Sequence, residues 1–199
     1  MVIHIPKTAG FSLSKILRNK DARFNTIIQP ASDGSNLRLI HCSIFEAVDM
    51  IHRIPKHIFA IVRNPYTRFV SCFVQAKIHG FHHEILSSYA ALGFCKMYFD
   101  LPKDNEFWKT ELGLFFLPQV HFIQHNPGSS DVTVGKLESL QKDVTSFLTS
   151  HGYDDQHIIE NDSPLAINKM RWYDEQPALK YFIETFYSAD FKRFKYNTL

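Results

Sequence analysis

The sequence predicts an α/β protein, with a central, mostly parallel sheet flanked by helices. Three observations carry that expectation. Strand-like and helix-like stretches alternate through the first third of the chain, as in a parallel sheet with helical crossovers. Residues 57–62, HIFAIV, form a continuous apolar run of the kind a strand covered on both faces requires. The chain has 199 residues, 45% hydrophobic and 21% charged, which suffices for one substantial core. No repeat, low-complexity stretch or composition shift marks a boundary, so residues 1–199 read as a single domain.

Each element has its own local reason. Val2 to Ile5 reads as a first short strand, and a helix follows from Phe11 with Leu13, Ile16 and Leu17 at helical spacing. Leu37 to Ile40 is a second strand candidate. Ser43-x-x-Glu46 is a capping box that opens a helix with Val48 and Ile51 on its apolar face. After HIFAIV, Asn64-Pro65 supplies an N-cap and a first helical residue, and the helix runs through Phe69, Val70, Phe73 and Val74. Residues 81–125 read as mostly helical and aromatic, with breaks near Pro102 and Pro118. Residues 126–129 (NPGS) form a turn, Asp131 to Val134 a short strand, and Leu140, Val144, Phe147 and Leu148 an amphipathic helix. Residues 160–168 read as a polar surface loop. Gln176 to Tyr187 is helical, and an aromatic, basic tail ends the chain.

Composition narrows the function. A formal net charge of +2 gives no general attraction to nucleic acid or an anionic membrane, so any anion site must be local. Cys42, Cys72 and Cys95 form neither an even set nor a CxxC motif, and they read as reduced thiols of a cytoplasmic protein. No apolar run reaches the length of about 18 residues that a membrane span needs. The N-terminus lacks the features of a signal peptide. Because the chain begins almost inside its first motif, an anchor upstream in a longer protein stays an alternative.

That first motif is HIPKTAGFSLSKIL, residues 4–17. A turn between strand and helix presents backbone N–H groups to an anion, and the helix dipole adds to the attraction. Lys7 can reach a phosphate oxygen, Thr8 and Ser12 add hydroxyls, and Gly10 lets the backbone come close. The triphosphate-binding pattern GxxxxGK[ST] fails, because Lys7 precedes Gly10, and GxGxxG fails too. From chemistry alone, an anion-binding turn and an ordinary strand–helix connection both remain open.

PKTAGFS resembles the 5′-phosphosulfate loop of the sulfotransferases, in particular the branch with the carbohydrate O-sulfotransferases. The resemblance implies a P-loop-like fold and the donor 3′-phosphoadenosine 5′-phosphosulfate, with Lys7, Thr8, Ala9, Gly10, Phe11 and Ser12 holding the 5′-phosphate and sulfonate. It implies no metal. Phe11 stands where the family often has Thr or Ser, which shifts hydroxyl duty to Ser12.

FAIVRNPYTRFVSCF, residues 59–73, resembles the family's 3′-phosphate motif. Arg63 ends a buried strand, where its guanidinium fork can meet a phosphate dianion. Ser71 lies seven residues after the Asn64 cap and so falls on the same helix face, with Arg68 near it. That face is expected to be a polar stripe while Phe69, Val70 and Phe73 pack inward. A capped helix with a surface Arg and a neutral Ser is the alternative, but two motifs asking for one ligand favour a site. The resemblance implies that Arg63 and Ser71 bind the 3′-phosphate. DVTVGKLESLQKDVTSFL and YSADFKRFKY extend it weakly along the chain. Lys136 and Glu138 within the first of these read as exposed charges.

Sulfonate transfer to an alcohol requires removal of the alcohol's proton. Among eleven histidines, His41 is the candidate base, because it follows a predicted strand at the edge where such sheets bind ligands. RLIHCSIF also resembles the stretch carrying the catalytic His in uronyl 2-O-sulfotransferases. Lys7 would stabilise charge on the oxygen bridging phosphate and sulfonate. His79, His82 and His83, and the pair His121 and His125, lack a third ligand at metal-binding spacing and read as solvated.

The leading expectation is therefore a sulfotransferase acting on a small-molecule or saccharide hydroxyl, with residues 80–125 shaping the acceptor pocket. A non-catalytic nucleotide-binding module and a kinase-like phosphoryl transferase are the rivals. The sequence leaves the acceptor and the oligomeric state open.

Overall fold

The computed structural model describes residues 1–10, 13, 41–78, 80, 86–124, 131–153 and 170–199. In chain order the described elements are β1 (Val2–Ile3), α1 (Ile44–Ile51), β2 (His57–Val62), α2 (Pro65–Ile78), α3 (Ser88–Tyr98), α4 (Glu111–Phe116), α5 (Gln119–Ile123), β3 (Asp131–Lys136), α6 (Leu140–Ser150), α7 (Arg171–Glu175), α8 (Pro177–Phe186) and α9 (Ser188–Phe194). Short 3₁₀ turns, Glu106–Lys109 and Leu137–Ser139, precede α4 and α6. The residues group into two compact units. One comprises Met1–Arg63 and His121–Asp162, the other Asn64–Val120 and Ser163–Leu199.

The first unit holds the sheet. Its described strands lie in the order β1-β2-β3, and both pairings are parallel. Val2 pairs with Phe59, and the β2–β3 register runs from His57 opposite Asp131 to Val62 opposite Lys136. Every residue of β2 from Ile58 to Val62 is buried, which is why the strand tolerates no polar alternation. On one face Phe59 and Ile61 pack with Leu13, Leu140, Val144, Phe147 and Leu148. The Phe59 and Phe147 rings stack at 4.2 Å. Asp143 closes the β3–α6 turn, accepting hydrogen bonds from Lys136 N and Ser139 Oγ, each at 2.7 Å. Lys136 is only partly exposed, while Glu138 is exposed as expected.

The second unit is helical and its core is aromatic, with Phe69, Phe73, Phe94, Phe99, Phe116 and Trp172 among the packed rings. Full burial of side chains of this size contributes about 1.5–3 kcal/mol each. The expected N-cap of α2 is present, Asn64 Oδ1 accepting from Tyr66 N at 3.0 Å. The breaks expected near Pro102 and Pro118 separate α3, α4 and α5.

Two expectations need correction here. The polar stripe on α2 does not face solvent: Arg68 and Ser71 are 0% and 2% exposed. The Arg68 guanidinium is accommodated inside the core because its Nη2 donates to Phe115 O at 3.1 Å and it lies 5.9 Å from the Tyr187 ring centroid. The chain's end is not merely a basic tail, since Ser188–Phe194 forms α9. Asp190 on that helix is fully buried and accepts from Gln119 N at 2.8 Å, Val120 N at 2.9 Å and Gln119 Nε2 at 3.3 Å. It thereby satisfies the open N–H groups at the start of α5. Burial pushes the Asp190 carboxyl up from its ordinary range, against the opposing pull of Arg68 and these donors.

The helix expected from Phe11 is described only at Gly10 and Leu13. The strand expected at 37–40, the turn at 126–129 and the loop at 160–168 lie outside the described residues. No helix among the described residues is long and apolar enough to cross a membrane. All three cysteines are buried and free.

Candidate functional site

The loop after β1 has an unusual backbone. Lys7 and Ala9 both take φ of 64°, whereas Thr8 between them does not adopt positive φ. Left-handed residues in a tight turn can aim main-chain N–H groups towards one side, the kind of arrangement that makes anion-binding concavities. Leu13 N donates to Ala9 O at 3.1 Å, a helical i to i−4 bond at the end of this loop.

Thr8 makes a contact that the sequence does not suggest. It is buried, and its Oγ1 donates to Ile5 O at 2.9 Å. Its hydroxyl proton therefore braces the loop against the end of β1. Gly10 is required by close approach: a Cβ there would lie 1.8 Å from His4 Cδ2. Phe11 and Ser12 lie outside the described residues.

His41 and Arg63 converge on the same loop. His41 is 5% exposed, and its Nδ1 lies 3.0 Å from His4 O. A carbonyl only accepts, so Nδ1 carries the proton in this contact. The capping box just beyond places it: Ser43 N and Oγ donate to Glu46 Oε2, each at 2.8 Å, and Glu46 N donates to Ser43 Oγ at 3.2 Å. Arg63, at the end of β2, donates from Nη1 to Lys7 O at 3.3 Å. Residues 56 positions apart thus meet, and the guanidinium sits beside the carbonyl of the candidate phosphate lysine.

His4 was not singled out by sequence reasoning. Its ring meets the His41 ring edge to face, with centroids 4.6 Å apart. Burial, then the neighbouring His41 and Lys7, hold its proton affinity well below the ordinary histidine range, so it is neutral at pH 7. The available signal was a histidine next to the loop and six residues before Gly10, but local periodicity assigns it no partner. Cys42, adjacent to His41, is no rival nucleophile. Burial and then Glu46 push its thiol up to about 11.

Ser71, the remaining candidate, is buried on α2 in the second unit. His121 is partly exposed, and the other expected solvated histidines, His79, His82, His83 and His125, lie outside the described residues. Among the described residues no group of three or more His, Cys, Asp or Glu side chains is placed to hold a metal ion.

In chemical terms the first unit gathers a cation on a phosphate-type turn, a second cation beside it, and an imidazole with a defined proton. A family model described as the sulfotransferase family matches residues 1–197. No curated protein and no solved structure gives a significant match.

Proposed function

The chain belongs to the sulfotransferase family, and on that premise we propose that it moves a sulfonate from 3′-phosphoadenosine 5′-phosphosulfate to a hydroxyl, with a carbohydrate as the acceptor class. The contact of Arg63 Nη1 with Lys7 O carries this reading, because it joins two motifs that each ask for a phosphate. The residues present fit such a donor. The left-handed positions at Lys7 and Ala9 suit a cradle of N–H groups for the 5′-phosphate and sulfonate, to which Gly10, Phe11 and Ser12 belong by sequence. Thr8 acts chiefly by holding that cradle's shape.

The donor, when bound, supplies the sulfonate and leaves as adenosine 3′,5′-bisphosphate. Lys7 neutralises charge that develops on the bridging oxygen. Arg63, with Ser71, takes the 3′-phosphate, the group that distinguishes this donor from ATP. His41 accepts the acceptor's hydroxyl proton. The segment from 80 to 125 contributes the acceptor contacts.

Calorimetric titration with adenosine 3′,5′-bisphosphate tests the site. The expected result is binding by the wild type that weakens by at least about tenfold in Arg63→Ala, the loss of a charge-assisted contact. Folded wild-type protein that binds no bisphosphate, or binds it no better than Arg63→Ala does, would overturn the reading. His41→Ala is expected to keep bisphosphate affinity and lose turnover. Wild-type protein that binds the bisphosphate but turns over no donor with a panel of hydroxyl acceptors would favour the non-catalytic module.

A further inference from the structure

We propose that His4 is a positioning residue for His41, its main-chain carbonyl fixing which imidazole nitrogen is protonated and its ring fixing the plane of the imidazole. The inference rests on the reading of His41 as the base. It gives a role to a residue that precedes the PKTAGFS loop and lies outside the 3′-phosphate motif.

The argument begins with the carbonyl. His4 O accepts from His41 Nδ1 at 3.0 Å, so the neutral imidazole has its N–H at Nδ1 and its lone pair at Nε2. A base must present the lone pair, not the N–H, to the proton it takes. In the transfer step the acceptor's hydroxyl proton goes to Nε2, the acceptor oxygen bonds to sulfur, and the bond from sulfur to the bridging phosphate oxygen breaks. His41 leaves that step as an imidazolium, with Nδ1 still held on His4 O.

The ring contributes separately. It stands edge-on to His41 at 4.6 Å between centroids with 61° between planes. It is itself backed by Gly10, where even a methyl group would overlap its Cδ2. The stack of Gly10, His4 and His41 therefore ties the base to the phosphate loop across a sequence separation of 37 residues. His4 stays neutral because burial and the adjoining His41 and Lys7 disfavour its charged form. A neutral neighbour packs against His41 without repelling the charge that His41 acquires.

Nitrogen-15 NMR of the histidine rings tests this apart from turnover. In wild-type protein near neutral pH, His41 should show a pyrrole-type Nδ1 and a pyridine-type Nε2. His4→Ala keeps the carbonyl but removes the ring that holds the His41 plane in line with it, so the Nδ1 hydrogen bond loosens and the His41 signals should move towards a mixture of tautomers. In the same variant kcat should fall by at least about tenfold, a share of the roughly 10²- to 10⁴-fold that a positioned base supplies. The KM for the donor should change by less than about twofold, since the loop's own groups remain. His4→Phe, which restores a ring edge, should recover most of the lost kcat and the wild-type His41 spectrum.

A wild-type His41 with its proton on Nε2 overturns the inference, as does His4→Ala with unchanged spectrum and unchanged kcat. Should His4→Ala not fold, the wild-type spectrum and His4→Phe still decide. Absence of turnover in wild type, with the Nδ1–H form present, counts against the proposed function and leaves the positioning geometry standing.

Discussion

At the scale of single residues, the loop after β1 combines strain and burial at the proposed donor site. A left-handed backbone costs a non-glycine residue about 1–2 kcal/mol, and Lys7 and Ala9 both accept it. Glycine would relieve that cost, but at Lys7 it would also remove the cation. Gly10, by contrast, is glycine because of space, the His4 ring occupying the position of its missing Cβ. His4 then carries a measurable signature. Its proton affinity is lowered in the fold, so the unfolded chain takes up a proton near the ordinary value of 6.5 that the folded chain refuses. The His4 contribution to stability is complete above that pH and is lost as the pH falls towards the folded value, with a slope of about 1.4 kcal/mol per pH unit. Urea unfolding of wild type and His4→Phe from about pH 7.5 down to about pH 5 should show a shallower decline in the variant. Equal declines would mean that His4 is not held neutral.

Helices in this chain are placed by polar anchors at their ends as much as by their apolar faces. The box of Ser43 and Glu46 sets the start of α1 directly after His41, so the orientation of the candidate base and the helix register are fixed by adjacent residues. In the second unit, Asp190 on α9 anchors the start of α5 through two main-chain N–H groups and the Gln119 amide. Asp190→Asn keeps the size but replaces one accepting oxygen by a donor facing other donors. The expected loss is about 1–3 kcal/mol, the cost of leaving buried polar groups unmatched. Thermal unfolding measures it, and a variant as stable as wild type would show that the α5 donors find other acceptors. Sequence patterning does not reveal this anchor, because Asp190 in YSADFKRFKY looks like a surface charge until α9 is packed.

For the whole molecule, the described chain forms two compact units, and the candidate groups are shared between them. Lys7, His41 and Arg63 belong to the first, Ser71 to the second. The sequence shows no shift in composition where the first unit passes to the second between Arg63 and Asn64. Both sides of that passage belong to one motif, an apolar strand followed by a capped helix. Ligand linkage gives the test at this scale. Adenosine 3′,5′-bisphosphate at about a hundred times its dissociation constant should stabilise the fold by about 2.7 kcal/mol. Hydrogen exchange then reports which segments share that gain. Added protection in residues 6–10 together with 65–72 supports a role for Ser71 alongside Lys7, and protection in 6–10 alone removes Ser71 from the site.

The amino-acid sequence by itself determined the α/β class, the strand at 57–62, the α1 capping box and the α2 N-cap. These are written in contacts between near neighbours: alternation, apolar runs, and caps that reach three residues. It also determined the sulfotransferase family, through two short motifs. Tertiary structure decided what those residues touch. Only packing brings His4 to His41, Arg63 to Lys7 across 56 residues, and Asp190 to Gln119 across 71. Only packing turns Thr8 inward to Ile5 and buries Arg68 and Ser71 within the second unit. The physical reason is the same in each case. A hydrogen-bonding group is satisfied by whatever partner the folded chain brings to it, and neither periodicity nor propensity encodes a partner dozens of residues away.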